Sequence, residues 1–160
     1  FFFLVNTIVV WSEAVKVATK GGIDCVTANG KKPIAGLRMR MMEWDLTNAN
    51  DQLNVTYTSD NGEYYLEGVE DEAIGPTIFF VDMWFPCSGP IYDQCINSGY
   101  HTQCDKLVKY GRKNCQYVIE QIRIPKDKHY VEDHEKGVYN VGRYLIDTGS
   151  TSMKYMKCDD

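Results

Sequence analysis

Six cysteines carry the plainest chemistry in this chain, because paired thiols oxidise to disulfides and clustered thiolates bind zinc. They are Cys25, Cys87, Cys95, Cys104, Cys115 and Cys158. An even number in a chain of this size predicts a disulfide framework, which is typical of oxidising compartments. None of the spacings forms the C-x-x-C knuckle of a zinc site. We therefore expect disulfides and no bound metal.

The pairing of these cysteines is not readable from their spacing alone. Cys87 and Cys115 enclose a long Cys-rich stretch, Pro86–Asn114, so a bridge between them would close its base. Cys95 and Cys104 would then pair inside the stretch. Closing a loop of this size contributes about 3–4 kcal/mol in the chain-entropy description of disulfides. We take this pairing as the expectation to compare with the structure.

Two further groups of side chains have metal-ligand chemistry, but neither predicts a metal site. His129 and His134 flank acidic residues in a polar connection, where an exposed loop seldom orients ligands. The acidic stretch Thr58–Gly68, TSDNGEYYLEG, lacks the spaced oxygens and the final bidentate Glu of a calcium loop. Its Asn61-Gly62 pair instead predicts the tight turn of a β-hairpin. We expect no metal and no cofactor.

A basic run is the clearest candidate for contact with an anionic surface. It is KLVKYGRK, Lys106–Lys113, in a chain whose net charge is −5. Charge runs are usually only solvated, and the alternative is a role in binding an anionic surface. The net negative charge of the chain argues against DNA or RNA as a partner.

The elements that must position these side chains are short strands with polar turns between them. Apolar and polar residues alternate with period two, and no helical stripe of any length is present. The most apolar strand places Phe80 and Trp84 on the face opposite the core, where they are either covered or exposed to a partner. Gly142 predicts a bulge in the last strand. The predicted strands are Gly22–Ala28, Leu37–Asp45, Val55–Ser59, Glu63–Glu67, Thr77–Phe85, Cys115–Pro125 and Val138–Asp147.

The uncharged start of the chain predicts export. Phe1–Trp11 is followed by small residues at Ser12 and Ala14, as in the apolar core and cleavage site of a secretory signal. The alternative is a buried N-terminal strand. We expect residues 1–14 to be a truncated signal peptide, and 15–160 to be one secreted, extracellular domain. The sequon at Asn54 predicts N-glycosylation, and no apolar run reaches the ~20 residues of a membrane-spanning helix.

Four stretches, in order between Gly22 and Asp147, resemble the transthyretin-like family of nematode secreted proteins. They are VTANGKKPIAGLRMRMMEWD, TSDNGEYYLEG, IRIPKDKHYV and YNVGRYLID. The resemblance implies an all-β fold: a two-sheet antiparallel, prealbumin-like Greek-key sandwich of about seven strands, here with a Cys-rich loop insertion. One member of the family bridges phosphatidylserine and a phagocyte receptor. Where the family has His two residues before Cys87, this chain has Phe85, so a role tied to that His is lost.

Binding, and not catalysis, is the function that we expect. The partner would be an extracellular protein, glycan or anionic lipid surface, engaged through loops or a sheet face. One alternative is a carrier of a small apolar ligand, at a dimer interface as in transthyretin, and a homodimer is therefore among the expectations. The other is a hydrolase of the 5-hydroxyisourate type, although the chain lacks the Tyr-Arg-Gly-Ser end of those enzymes. The candidate surface contacts are Lys106, Lys109, Arg112, Lys113, Trp84 and Phe80.

Overall fold

In the computed structural model, most of the described residues form β-strands. The described residues are 14–27, 29–44, 50–71, 77–95, 104, 106–107, 109–112, 114–130, 137–146 and 155–158. The predicted signal segment lies outside them, apart from Ala14. The strands are β1 Val15–Thr27, β2 Gly30–Pro33, β3 Arg38–Trp44, β4 Asp51–Tyr57, β5 Glu63–Glu70, β6 Ile78–Pro86, β7 Cys115–Arg123, β8 Val138–Ile146 and β9 Tyr155–Cys158. A short α-helix, α1, spans Pro90–Gln94, and a 3₁₀ turn spans Lys126–Lys128.

These strands form two sheets around one core. In the first sheet, β1 pairs antiparallel with β2 and β5, and parallel with β8. In the second sheet the order is β4-β3-β6-β7-β9, and every neighbouring pair is antiparallel. The predicted all-β, two-sheet sandwich is therefore confirmed. No helix in the described residues is long and apolar enough to cross a membrane.

The core is built from alternate residues of β3 and β6, as the period-two pattern predicts. Phe79, Val81, Met83 and Phe85 of β6 are fully buried. Burying a side chain of this size stabilises the fold by about 1.5–3 kcal/mol. Against them pack the inward residues of the first sheet, which are Val17, Ile23, Cys25, Tyr64, Leu66 and Ile146.

The first sheet is longer than the sequence indicates. Its β1 starts at Val15 and not at Gly22, and runs for 13 residues. The segment Gly30–Pro33, which the turn residues predict as a loop, pairs with the end of β1 as a short edge strand. Thr27 Oγ1 donates a hydrogen bond of 2.8 Å to the Gly30 carbonyl and closes this hairpin. Pro33 is tolerated because it ends an edge strand, where no neighbour needs its missing N–H.

The turn at Asn61-Gly62 forms, but the hairpin predicted around it is wrong. The Gly62 amide donates to the Ser59 carbonyl at 2.8 Å, and Gly62 has a φ of +71°. However, β4 pairs with β3 in the second sheet, whereas β5 pairs with β1 in the first. The turn therefore carries the chain from one sheet to the other. Contacts far along the chain decide this, since the Ile23 amide donates to the Gly62 carbonyl at 2.9 Å.

All six cysteines form disulfides, so the predicted framework is confirmed, but both expected pairs are wrong. Cys115 and Cys158 are direct cross-strand partners of β7 and β9. Cys87 lies beside Cys115, and its amide donates a hydrogen bond of 2.9 Å to the Cys115 carbonyl. Its disulfide partner is nevertheless Cys104. Closeness in sequence therefore gave the wrong partners, because strand register fixes which thiols face each other. The pairs are Cys25–Cys95, Cys87–Cys104 and Cys115–Cys158.

Candidate functional site

Phe80 and Trp84 are not surface contacts, which corrects the proposal of an exposed apolar patch. They lie on the outer face of β6 but are only 8% and 5% exposed. Trp84 Nε1 donates to Asp82 Oδ1 at 3.0 Å, and the guanidinium carbon of Arg40 lies 4.5 Å from the centre of the Trp84 ring. Neighbouring polar groups therefore hold Trp84 in place, and the covered alternative is the correct one.

A buried ion pair lies at the centre of that same face. Arg40 Nε and Nη2 donate to the two carboxylate oxygens of Asp82, at 2.9 and 2.7 Å. The Asp82 side chain is fully buried and that of Arg40 is 15% exposed. A charge in this position is stable only when it is paired and hydrogen bonded. The pair is thus a structural feature of the second sheet.

The described cations of the basic run are exposed. Lys106, Lys109 and Arg112 all lie at the surface. Tyr110 lies among them and is 81% exposed. The Tyr110 amide donates to the Lys106 carbonyl at 3.0 Å, which is the bond of a helical turn. The fourth predicted cation, Lys113, lies outside the described residues.

Asn54 lies in an exposed position on β4, at the edge of the second sheet. Its Nδ2 donates to the Glu67 carbonyl of β5 at 2.9 Å, and its Oδ1 accepts from the Val55 amide at 2.8 Å. The side chain therefore spans the seam between the two sheets. Its glycosylation stays a prediction.

Sequence reasoning missed a concave site, a groove of about 700 Å³ lined by residues of β1, β4, β5 and β8. Three glycines form part of its lining: Gly21, Gly22 and Gly142. A Cβ atom on Gly21 would lie 2.8 Å from the Gly142 carbonyl oxygen, so only glycine lets the two backbones approach this closely. The sequence signal for this site was the Gly21-Gly22 pair, because glycines inside a strand mark a place where another backbone or a ligand comes close.

The predicted bulge at Gly142 is confirmed, and it shapes the groove. The register between β1 and β8 shifts between Lys20 and Gly21, opposite Gly142, whose φ is +74°. The Gly142 amide donates to Asn140 Oδ1 at 3.0 Å. Bulges re-aim the side chains next to them, and here Asn140 and Arg143 on either side of the bulge both line the groove.

Arg143 is held at the groove by a second ion pair. Its Nε donates to Asp24 Oδ2 at 2.8 Å, and its Nη2 donates to Asp24 Oδ1 and to the Asn61 carbonyl. The hydrogen bond from Arg143 lowers the pKa of the Asp24 carboxyl. A Cβ atom on Gly22 would lie 2.6 Å from Arg143 Nη1, so the guanidinium lies directly over that glycine.

Two tyrosines give the groove its aromatic surface. Tyr57 of β4 is 61% exposed and Tyr65 of β5 is 43% exposed. The Tyr65 hydroxyl donates to Glu67 Oε2 at 3.2 Å. Partial burial, and then this carboxylate, raise the pKa of Tyr65 to about 12, so the phenol stays protonated and remains a donor at neutral pH. Lys20, Ser59 and Glu63 add further donors and acceptors to the lining.

The described histidine does not form a metal site. The ring of His129 meets that of Phe79 edge-on, with centroids 4.8 Å apart. Burial lowers the pKa of His129, so it is neutral at neutral pH. His134 lies outside the described residues, and within them no three His, Cys, Asp or Glu side chains are placed to hold a metal ion.

Comparison with known proteins gives no family. No family model and no curated protein matches the sequence. The chain is similar to part of a 9R-lipoxygenase from Cyanothece PCC8801, with 13% identity and a TM-score of 0.44 over 82% of this chain and 16% of that one. It is also similar to part of an (S)-allantoin synthase, with 15% identity and a TM-score of 0.37 over 87% of this chain and 44% of that one. The chain thus spans less than half the length of either protein, and likeness at this level says nothing about activity.

Proposed function

We propose that the chain is an extracellular binding domain that holds a neutral oligosaccharide in the groove of β1, β4, β5 and β8. The observation that supports this is the pair of exposed tyrosines, Tyr57 and Tyr65, next to hydrogen-bonding side chains. The face of an aromatic ring carries partial negative charge and attracts the C–H face of a sugar ring. The hydroxyls of the sugar then need donors and acceptors at the sides, such as Asn140 and Ser59.

The charges around the groove favour a ligand without net charge. Lys20 and Arg143 are cationic, and Glu63 and Asp24 are anionic, so the two signs balance. Arg143 is already bonded to Asp24 through two nitrogens. A charged ligand would have to compete with that pair, whereas a neutral polyol gains from directional hydrogen bonds alone.

The dimensions of the groove fit this ligand class. Small-molecule sites measure about 300–1,000 Å³, and the groove, at about 700 Å³, lies in that range. It is open to solvent, so a chain of sugar rings can lie in it without having to enter a closed cavity. A carrier of a small apolar ligand needs an enclosed pocket, which this open groove does not provide.

The extracellular location is proposed on the basis of the three disulfides. Disulfides form and persist in oxidising compartments, above all outside the cell. This agrees with the predicted signal peptide and with the sequon at Asn54, both of which stay predictions. Membership of the transthyretin-like family, a homodimer and the absence of catalysis also stay predictions.

The test is binding of the oxidised protein to an array of neutral oligosaccharides, followed by calorimetry with the best ligand. Replacing both Tyr57 and Tyr65 by alanine should weaken binding about 100-fold, since each stacked ring contributes about 1–1.5 kcal/mol. Tyr110→Ala is the matched control, because it removes an exposed tyrosine outside the groove and should leave binding unchanged. The proposal fails if no neutral glycan binds, or if the double variant binds as well as the wild type.

A second candidate function is contact with an anionic lipid surface through the basic run. It is favoured by Tyr110, which projects among exposed Lys106, Lys109 and Arg112. Tyrosine settles at the membrane interface, and each basic residue near an anionic leaflet contributes about 1 kcal/mol of attraction. These groups together resemble the contact surface of a peripheral membrane protein.

Vesicle sedimentation separates this candidate from glycan binding. The protein should pellet with vesicles that contain phosphatidylserine and not with phosphatidylcholine alone. Reversing the charges of Lys106, Lys109, Arg112 and Lys113 should abolish this, whereas the Tyr57 and Tyr65 alanine variant should sediment normally. Unchanged sedimentation after charge reversal would rule out the basic run as a lipid contact.

A further inference from the structure

We propose that a small cavity on the outer face of the second sheet binds one tetrahedral oxyanion, a phosphate or sulfate group. The cavity measures about 90 Å³. It shares no lining residue with the groove, so it is a separate site. Its lining residues are Arg38, Arg40, Trp84, Asn114, Gln116 and Lys157.

Strand register brings these residues together from four strands. Arg38 of β3 is the direct partner of Trp84 of β6, and Gln116 of β7 is the direct partner of Lys157 of β9. The Cys115–Cys158 disulfide joins the residues next to Gln116 and Lys157. It therefore fixes the short strand β9, and Lys157 with it, at the side of the cavity.

The charge of the cavity is strongly positive. Three of its residues, Arg38, Arg40 and Lys157, are cations. The carboxylate of Asp82 lies beside them and bonds to Arg40. In the part of the chain that the structure describes, neither Arg38 nor Lys157 forms an ion pair. Arg38 and Lys157 line the same cavity and neither is paired with a carboxylate of the described residues, so together they favour an anion between them.

Arg38 provides an independent indication that a ligand is needed. Its Nε is buried and has no hydrogen-bond acceptor among the described residues. A buried donor without a partner is costly and rare in folded proteins. The guanidinium carbon lies 5.8 Å from the centre of the Trp84 ring, which limits its movement. An oxygen of a phosphate or sulfate would satisfy this donor, since the planar arginine fork matches such groups.

The amide residues of the cavity add neutral donors. Asn114 has a φ of +55° and is the one non-glycine residue with positive φ in the described part of the chain. Such a conformation persists only where the surroundings fix it, and it is enriched at ligand clamps. Asn114 and Gln116 each carry a side-chain NH₂ group, which donates to oxyanions and does not add charge.

The size of the cavity, about 90 Å³, suits a small ligand such as a phosphate or sulfate group. The group is either a free ion or the terminal monoester of a larger molecule whose remainder stays outside.

The test is calorimetric titration of the oxidised, full-length protein with inorganic phosphate and with sulfate, in a buffer containing excess chloride. We expect saturable binding of one ion per chain. Replacing Arg38 and Lys157 by methionine should weaken it at least tenfold, because both unpaired cations are lost. Arg38→Lys should retain part of the affinity, since it keeps the charge and loses the fork.

The matched control carries Lys106→Met and Lys109→Met, which remove the same charge from the exposed basic run. It should bind phosphate as the wild type does. Absence of saturable binding, or equal weakening in this control, would overturn the proposal. A second readout uses the wild type alone and does not depend on how the variants fold. Adding phosphate should shift the NMR resonance of the Trp84 indole N–H, and an unchanged resonance would also overturn the proposal.

Phenyl phosphate and galactose 6-sulfate distinguish the two sources of the oxyanion. Binding of the inorganic ions alone would identify an ion site. Tighter binding of either monoester would show that the natural group ends a larger ligand. Both results support the site, and binding of the parent phenol with the same affinity as phenyl phosphate would contradict it.

Discussion

The two sheets carry the same chemical unit, an arginine bonded to an aspartate through two nitrogens, in opposite surroundings. In the second sheet, the side chains of Arg40 and Asp82 are 15% and 0% exposed. In the first sheet, those of Arg143 and Asp24 are 47% and 16% exposed. Water screens the Arg143–Asp24 pair of the first sheet much more than the Arg40–Asp82 pair of the second sheet. We therefore expect the Arg40–Asp82 pair to contribute more to the stability of the fold.

The neighbours of each pair strengthen this contrast. The indole N–H of Trp84 donates to Asp82, and the Arg40 guanidinium lies over the Trp84 ring. The Arg143 guanidinium instead lies over Gly22 at the side of an open groove. The Arg143 guanidinium is therefore accessible to a ligand in the groove, whereas the Asp82 carboxylate is fully buried.

The largest expected effect is that of Asp82→Ala. It removes the carboxylate that accepts two hydrogen bonds from the mostly buried Arg40 guanidinium, and should lower the free energy of unfolding by about 3–5 kcal/mol. Equilibrium denaturation of the oxidised protein in urea measures this. A loss below about 1 kcal/mol would show that the pair is no more than a surface contact.

Replacing the whole pair should be milder than breaking it. The double variant Arg40→Met, Asp82→Leu removes both charges of the pair, and apolar side chains of similar volume fill the space. The remaining cost is the lost acceptor of Trp84 Nε1, about 1–3 kcal/mol. The free energies of unfolding of the double variant and of Asp82→Ala are measured by urea denaturation and compared. A double variant that is less stable than Asp82→Ala would contradict this explanation.

His129 is a third ionisable group whose burial should affect the stability of the fold. Its pKa in the folded state is lowered, chiefly by burial, so the unfolded chain binds a proton more readily. Stability should therefore fall as the pH drops below the unfolded value of about 6.5. His129→Phe keeps a ring against Phe79 and should remove this part of the pH dependence. Melting curves between pH 7 and pH 5 check this, and identical slopes would contradict it.

The smallest effect is expected for Asp24→Asn. The folded-state pKa of Asp24 is lowered by Arg143, so the stabilisation is present above the unfolded pKa of about 3.9 and is lost as the pH falls through the folded value. The variant should be slightly less stable than the wild type at neutral pH and equal to it in strong acid. A loss as large as that of Asp82→Ala would remove the contrast between the two sheets.

Local patterns in the sequence predicted the features that depend on near neighbours. The alternation in β6 correctly placed Phe79, Val81, Met83 and Phe85 in the core. Gly142 was correctly predicted as a bulge. The even cysteine count correctly predicted disulfides. Each of these depends on residue type and period, which are readable within one segment.

Features that depend on distant partners were not predictable in the same way. The parallel pairing of β1 with β8 joins segments more than 100 residues apart along the chain. The assignment of β4 and β5 to different sheets depends on Gly62 meeting Ile23. The groove combines residues of four strands, and its tyrosines resemble any other half-buried strand residue. Long-range register decides all three, and single segments do not encode it.

The most direct test of the groove as the binding site is NMR mapping of the isotope-labelled, oxidised protein titrated with the best oligosaccharide from the array. The largest shifts should occur in the amides of Lys20, Tyr57, Tyr65, Asn140 and Arg143, while Arg38 and Tyr110 should not move. Shifts confined to the Tyr110 segment, or to the outer face of the second sheet, would contradict the assignment of binding to the groove.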